Sequence, residues 1–274
     1  MRFFVDDIHK FCYIVAPKCG NSSIAKNLGV PVLINYSEDK KREILFDSTY
    51  TKVIIVRQNL VDRFLSGLYE EMFPKSGING EIYANINLTF GEFLESLFAI
   101  IKSRAPNVQI ISHPSSTFAS EAAAQWRIES FGGPITDEFG TLVTHMGSQF
   151  WWISDIVRVM LTAPTPQPWT VIDTANICQA LDMPIVKNVK KKISYSPKFY
   201  QRLYISEIIR KKRIATRDCL TAAQLQEILA LFAHDQQFID LLYEHSGEMF
   251  PEELLHAVCS SPPMPYFLHI VKKD

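Results

Sequence analysis

Phe11-Cys12-Tyr13-Ile14-Val15-Ala16-Pro17-Lys18-Cys19-Gly20-Asn21-Ser22-Ser23 is the stretch that decides the fold. Its first six residues form an unbroken apolar run closed by a proline, the pattern of a strand buried on both faces. A short polar loop follows. Residues 22–28 then predict a helix stopped by Gly29 and Pro31. Outward from there the pattern repeats. Val32-Leu33-Ile34-Asn35-Tyr36 predicts a second strand, and Ser37 is placed to cap a helix with Glu38, Asp39 and Lys40 in its first turn. Lys52-Val53-Ile54-Ile55-Val56 predicts a third strand. Residues 59–73 then place Leu60, Phe64, Leu65, Leu68 and Met72 near the helical period. Strands alternating this closely with helices predict parallel pairing through right-handed crossovers. In such sheets ligands lie beyond the carboxyl ends of the strands, which puts residues 17–23 and 57–62 on one rim.

The rest of the chain is read more coarsely. Thr89-Phe90-Gly91-Glu92 has capping-box spacing ahead of an apolar helix to about residue 101. Residues 105–150 hold turns, prolines and short ambiguous pieces, and are expected to form an irregular acceptor-binding insertion. Trp169-Thr170-Val171-Ile172-Asp173 predicts another strand, and residues 174–181 a short helix. Thr221-Ala222-Ala223-Gln224 is a second capping box, opening one long amphipathic helix through Leu225, Ile228, Phe232, Phe238 and Leu242. No repeat or low-complexity linker interrupts residues 1–274, so a single domain is expected.

Composition narrows the function classes. The 274 residues carry a formal net charge of −1, which argues against a general nucleic-acid binder and leaves room for a basic site for one anion. The five cysteines, Cys12, Cys19, Cys178, Cys219 and Cys259, include no CxxC pair. Their odd number and scatter argue against a zinc site or a disulfide scaffold. The N-terminal MRFFVDDIHKFCYIVAP lacks the zones of a signal peptide, and no apolar run approaches the roughly 20 residues that span a bilayer. The expectation is a cytoplasmic or membrane-peripheral chain without a transmembrane segment. The Golgi lumen would be reached only if an anchor had been removed from a longer precursor.

The loop Lys18-Cys19-Gly20-Asn21-Ser22-Ser23 joins a strand to a helix start, where backbone N–H groups are unpaired and the helix dipole is positive. Gly20 permits close backbone approach, Lys18 adds a point charge, and Ser22 and Ser23 add hydroxyls. Together they form an anion cradle of P-loop type. The fold class expected is therefore α/β: a P-loop-type three-layer domain with a central parallel sheet flanked by helices. The loop is not a Walker A motif, since Lys18 precedes the only glycine. An ordinary strand-to-helix turn with a solvated lysine is the alternative. Cys19 lies where a thiol pKa can fall, but a Cys-x5-Arg phosphatase needs arginine where Ala25 stands.

Arg57 ends the third strand and Ser66 lies on the helix beyond it. The two can grip a second phosphate, Arg57 through its bidentate fork; an Arg57–Asp62 pair and a packed Ser66 are the alternative. Together the two segments resemble the sulfotransferase superfamily, nearest to the carbohydrate (Golgi-type) sulfotransferases and their bacterial relatives. Pro17-Lys18-Cys19-Gly20-Asn21-Ser22-Ser23-Ile24 is similar to the family's 5′-phosphosulfate loop. The stretch Val56-Arg57-Gln58-Asn59-Leu60-Val61-Asp62-Arg63-Phe64-Leu65-Ser66-Gly67-Leu68-Tyr69 resembles its 3′-phosphate segment, V-R-D-P-x-x-R-x-x-S-x-Y. Gln58-Asn59 replaces the usual Asp-Pro, and one extra residue separates Ser66 from Tyr69. Lys190, in a segment similar to one that closes over the nucleotide, joins the set; a solvated run of Lys190, Lys191 and Lys192 is an equal reading.

The resemblance implies an enzyme: sulfuryl transfer from 3′-phosphoadenylyl sulfate (PAPS) to a hydroxyl of a carbohydrate or glycolipid-like acceptor, with no metal. Lys18 would stabilise the leaving phosphate and the transferring group. Cys19, Gly20, Asn21, Ser22 and Ser23 would line the 5′-phosphate, and Arg57 and Ser66 would read the 3′-phosphate. The general base is sought at His145, in a His145-Met146-Gly147-Ser148-Gln149 element resembling a family His-x-x-Pro-Gln, with Glu38 and His113 as other candidates. Trp126, Arg127, Trp151 and Trp152 can form an acceptor platform or pack in the core. Two other functions stay open: an atypical P-loop kinase, which would need magnesium, and a non-catalytic nucleotide-binding or scaffold module on the same fold.

Overall fold

The computed structural model describes residues 2–16, 18–31, 36–73, 87–104, 149, 153, 156–157, 159–160, 163–165, 168–181 and 194–247. Its contacts fall into two compact units. One comprises Met1–Gln58, Ser148–Asn188 and Ala233–Pro262, the other Asn59–Gly147, Val189–Phe232 and Pro263–Asp274.

The first unit carries a four-stranded sheet in the order β1 (Arg2–Asp6), β2 (Phe11–Val15), β3 (Thr51–Val56), β4 (Trp169–Asp173). β2, β3 and β4 are parallel, as the strand–helix alternation predicts. β1 is antiparallel to β2, with Phe3 opposite Ile14, so the expected parallel sheet is corrected to a mostly parallel one in a mixed α/β fold. The cause is the short turn at residues 7–10, which allows a hairpin but no crossover. Asp6 pins that turn, accepting from the N–H groups of Ile8 at 3.1 Å and His9 at 3.0 Å, with His9 Nδ1 at 2.8 Å. Burial works to raise the Asp6 pKa, but its hydrogen bonds and the His9 charge outweigh that and hold it below its ordinary value.

β3 is buried throughout from Lys52 to Val56. Its Val53, Ile54, Ile55 and Val56 are fully excluded from water, each contributing on the order of 1.5–3 kcal/mol. Lys52 is the polar exception. Burial lowers its pKa, and Nζ donates to the carbonyls of Asp47 and of Tyr50, the latter at 2.8 Å.

Helix α1 (Asn21–Asn27) follows β2, and α2 (Glu38–Phe46) follows its expected cap, the Ser37 hydroxyl accepting from Lys40 N–H at 3.2 Å. Gly29, at φ +66°, ends α1 where the sequence predicts a stop. Residues 32–35 of the expected second strand lie outside the described residues. After β4 a turn over residues 174–176 shortens the predicted helix to α5 (Ile177–Ala180).

The second unit is helical among its described residues. α3 (Leu60–Met72) is capped by Asn59, whose side chain accepts from Asp62 N–H at 3.0 Å. α4 (Phe90–Arg104) has the predicted Thr89–Glu92 box, with Thr89 N–H on Glu92 Oε2 at 2.8 Å. Then come α6 (Pro197–Tyr200), α7 (Ile205–Arg210) and α8 (Ala222–Leu231), the last with the predicted Thr221–Gln224 box. Phe64 anchors this core between Phe98 at 6.0 Å and Phe232 at 6.3 Å.

The long terminal helix is corrected to two, α8 and then α9 (Ala233–Glu244), broken at Phe232 with φ −110° and ψ 15°. Phe232 packs on Phe64 in the second unit, whereas α9 belongs to the first.

Candidate functional site

β2, β3 and β4 end along one edge of the sheet, with Val15 opposite Ile55 and Val56 opposite Asp173. The loop after β2 and Arg57 after β3 therefore share the rim of the first unit, as predicted.

The loop is built from its backbone. Lys18 adopts φ +67° and Gly20 φ +93°, a region that costs a residue with a Cβ roughly 1–2 kcal/mol. At Gly20 a Cβ would meet Ile177 Cδ1 at 3.5 Å and Thr174 Cγ2 at 3.7 Å, ordinary contacts, so conformation rather than space calls for glycine. Cys19 N–H donates to Ala16 O at 3.2 Å, and the Asn21 side-chain amide to the same oxygen at 3.3 Å. Ser23 N–H is taken by Gly20 O at 2.9 Å. Of the four amides Gly20 to Ser23, those of Gly20, Asn21 and Ser22 donate to no acceptor among the described residues. The cradle read from the sequence is narrower by one donor. Ser22 is exposed and Ser23 half-buried.

Gln149 ties the rim together. It is fully buried. Its Oε1 accepts from Arg57 N–H at 2.7 Å, and its Nε2 donates to Arg57 O at 2.8 Å. The same Oε1 accepts from the Cys19 thiol at 3.1 Å. The backbone N–H of Gln149 donates to Asp235 Oδ2 at 2.8 Å, and Asp235 is itself fully buried. One side chain thus joins the loop after β2 to the residue after β3. The thiol of Cys19, buried and donating a proton, does not have the character of an exposed reactive thiolate.

Asp173 does the equivalent work at the end of β4. Its carboxylate accepts from Gln58 N–H at 2.7 Å and Ala175 N–H at 2.6 Å, while Thr174 N–H and hydroxyl both reach Val56 O at 2.8 Å. Burial, aided by the Asp173 charge, pushes the Tyr243 phenol up to about 12.

Ser66 lies half-buried on α3 of the second unit. Arg57 and Ser66 are nine positions apart, one more than the V-R-D-P-x-x-R-x-x-S pattern allows. With Gln58-Asn59 in the place of Asp-Pro, the added residue falls among residues 60–62, in the first turn of α3, while Arg63-Phe64-Leu65-Ser66 keeps the pattern's R-x-x-S spacing. Glu38 is the first residue of α2, and its side chain lies outside the described set. His113, Trp126, Arg127, His145, Trp151, Trp152, Lys190 and most of residues 105–150 also lie outside the described residues. Among the described residues no three His, Cys, Asp or Glu side chains cluster as metal ligands, and no helix is long and apolar enough to cross a membrane.

Comparison with protein-family models, with curated proteins and with solved structures gives no match.

Gln149, Asp173 and Asp235 were not singled out as site residues. In residues 145–149 the sequence points to the histidine, whereas the geometry gives weight to the glutamine. An amide that can donate and accept at once is the residue type suited to pair with both polar groups of one peptide residue. That signal was in the sequence, but nothing in it indicated which backbone, 92 positions away, the amide would meet.

Proposed function

We propose that the chain is a PAPS-dependent sulfotransferase acting on a hydroxyl of a carbohydrate or glycolipid-like acceptor. The observation that carries this reading is the adjacency of two segments. The loop resembling the 5′-phosphosulfate loop and the arginine of the segment resembling the 3′-phosphate site leave neighbouring parallel strands and are joined through Gln149. Two further features support it: the amides of Gly20, Asn21 and Ser22, and the strained backbone of Lys18, since strain of this kind gathers at functional positions.

In this reading the loop amides hold the 5′-phosphate and Lys18 meets charge building on the leaving and nonbridging oxygens of an in-line transfer. The Arg57 guanidinium, its backbone N–H and C=O both held by Gln149, reads the 3′-phosphate, a role that the family resemblance also gives to Ser66. Lys190 closes over the nucleotide. His145 is the proposed base that takes the acceptor proton, with Glu38 and His113 as the other candidates. The reaction needs no metal.

Calorimetric titration with 3′-phosphoadenosine 5′-phosphate in the presence of chelator tests the proposal. Saturable binding is expected, and its absence in folded protein overturns the reading. Binding that requires magnesium points instead to a kinase. Binding without sulfate transfer to any sugar hydroxyl points to the non-catalytic module.

A further inference from the structure

Residues 194–218 of the second unit hold seven Lys and Arg against Glu207 and Asp218, a net +5 in a chain whose total is −1. Six of the seven cations are exposed, Arg213 being the partly covered one. The same segment holds two of the four large hydrophobic side chains exposed among the described residues, Phe199 at 46% and Tyr204 at 49%. A solvated helix face accounts for the charge but not for aromatic rings held out within it.

The fold closes this segment on itself. The Tyr200 hydroxyl donates to Arg213 O at 2.8 Å. The Arg213 guanidinium lies 5.4 Å from the Phe199 ring centre and 5.7 Å from that of Tyr195. Tyr195 stacks on Phe199 at 5.8 Å and 24°. Glu207 is engaged within the segment by Lys211 at 2.8 Å and Arg213 at 3.4 Å. The segment's own charge is therefore predominantly positive, and Phe199, next to Lys198 in sequence, is braced in an exposed position.

Exposed cations and exposed aromatic side chains carried by one segment suit the boundary between water and lipid. Each Lys or Arg near an anionic bilayer adds to the attraction, and aromatic rings settle at headgroup depth. Single-stranded nucleic acid would use the same cations but needs open ring faces for its bases. Tyr195 and Arg213 already engage the Phe199 ring. We propose that this surface docks the protein on an anionic lipid bilayer. The inference is independent of the transfer reaction proposed above.

Cosedimentation of the full chain with phosphatidylcholine vesicles, with and without phosphatidylserine, tests it. Binding is expected only to the vesicles that contain phosphatidylserine, weakening as salt rises. Lys198→Glu with Arg202→Glu, both exposed, should weaken it about 10-fold or more at unchanged thermal melting. Phe199→Ala should weaken it about 3-fold or more while leaving the salt dependence intact. Equal retention on uncharged vesicles, no retention on charged ones, or retention indifferent to both variants overturns the proposal. Tighter binding to a single-stranded RNA oligonucleotide, lost in the charge-reversed variant, reassigns the surface to nucleic acid and also overturns it. The salt titration needs no variant, so the result does not hinge on how a mutant folds.

Discussion

The two ends of the sheet in the first unit satisfy their polar groups in different ways. Where β2 and β3 begin, most partners are local: Asp6 bonds residues 8 and 9, and Lys52 reaches the carbonyls of residues 47 and 50. Where they end, local bonds are joined by distant ones. Gln149 meets Arg57 across 92 positions, Cys19 across 130 and Asp235 across 86, while Gln58 meets Asp173 across 115. A local cap forms with its turn at little entropic cost. A distant clasp exists only when the whole unit is in place, and it orients groups that no local rule could orient. The rim is built for positioning and the opposite end for closure.

The largest expected effect breaks the clasp. Gln149→Met keeps volume but leaves the Arg57 N–H and C=O and the Cys19 thiol without that partner. We expect a loss of about 3–5 kcal/mol in denaturant unfolding. A loss below about 1 kcal/mol would mean that water replaces the glutamine and that the rim is not held by it.

Next is Arg57→Ala, expected to weaken binding of 3′-phosphoadenosine 5′-phosphate by about 2–4 kcal/mol through loss of a bidentate charged contact. Adenosine 5′-phosphate should be affected much less. Equal losses for both nucleotides, read by calorimetry, would show that the arginine does not sense the 3′-phosphate.

Lys18→Ala should lower single-turnover sulfate transfer by on the order of 10²-fold with little change in donor affinity. Lys18→Arg should restore it only in part, because a planar fork does not replace a compact ammonium. Near-normal turnover in folded Lys18→Ala protein would remove the lysine from the mechanism.

The smallest effect sits at the opposite end of the sheet. Asp6→Asn should cost about 1 kcal/mol at neutral pH, the scale of one capping interaction. Because the folded-state pKa of Asp6 is depressed, its contribution is fully present above the unfolded-state value and is lost as pH falls through the folded one. The stability difference between wild type and variant should therefore close on acidification. A difference that persists unchanged in acid would show that the carboxylate charge is not what pins the turn.

The same contrast explains what could be read from the sequence. β2, β3 and β4, the Ser37 cap and both capping boxes follow from contiguous residues, and each was legible. Gly20 and Gly29 were legible as a loop and a stop, and both have positive φ. β1 was not, because Phe3-Phe4-Val5 is too short a run, hemmed by Arg2 and Asp6, to separate a strand from a disordered start. The break at Phe232 was hidden because the apolar stripe of residues 225–242 continues across it. The places of Lys18 and Arg57, on the rim beyond β2 and β3, were legible through the strands that end beside them. Gln149 was not, since its function is defined by a peptide 92 positions away.

The pairing of Lys52 with Trp169 bears on how the chain is made. β3 leaves the ribosome more than a hundred residues before the strand that pairs with its second edge, a wait of roughly 5–20 s at ordinary synthesis rates. During that interval Val53-Ile54-Ile55-Val56 presents an open, apolar ladder, the kind of edge that recruits foreign strands. Parallel pairing across so large a loop is also slow once both strands exist. Recovery of native protein should therefore depend on expression temperature and chaperone supply.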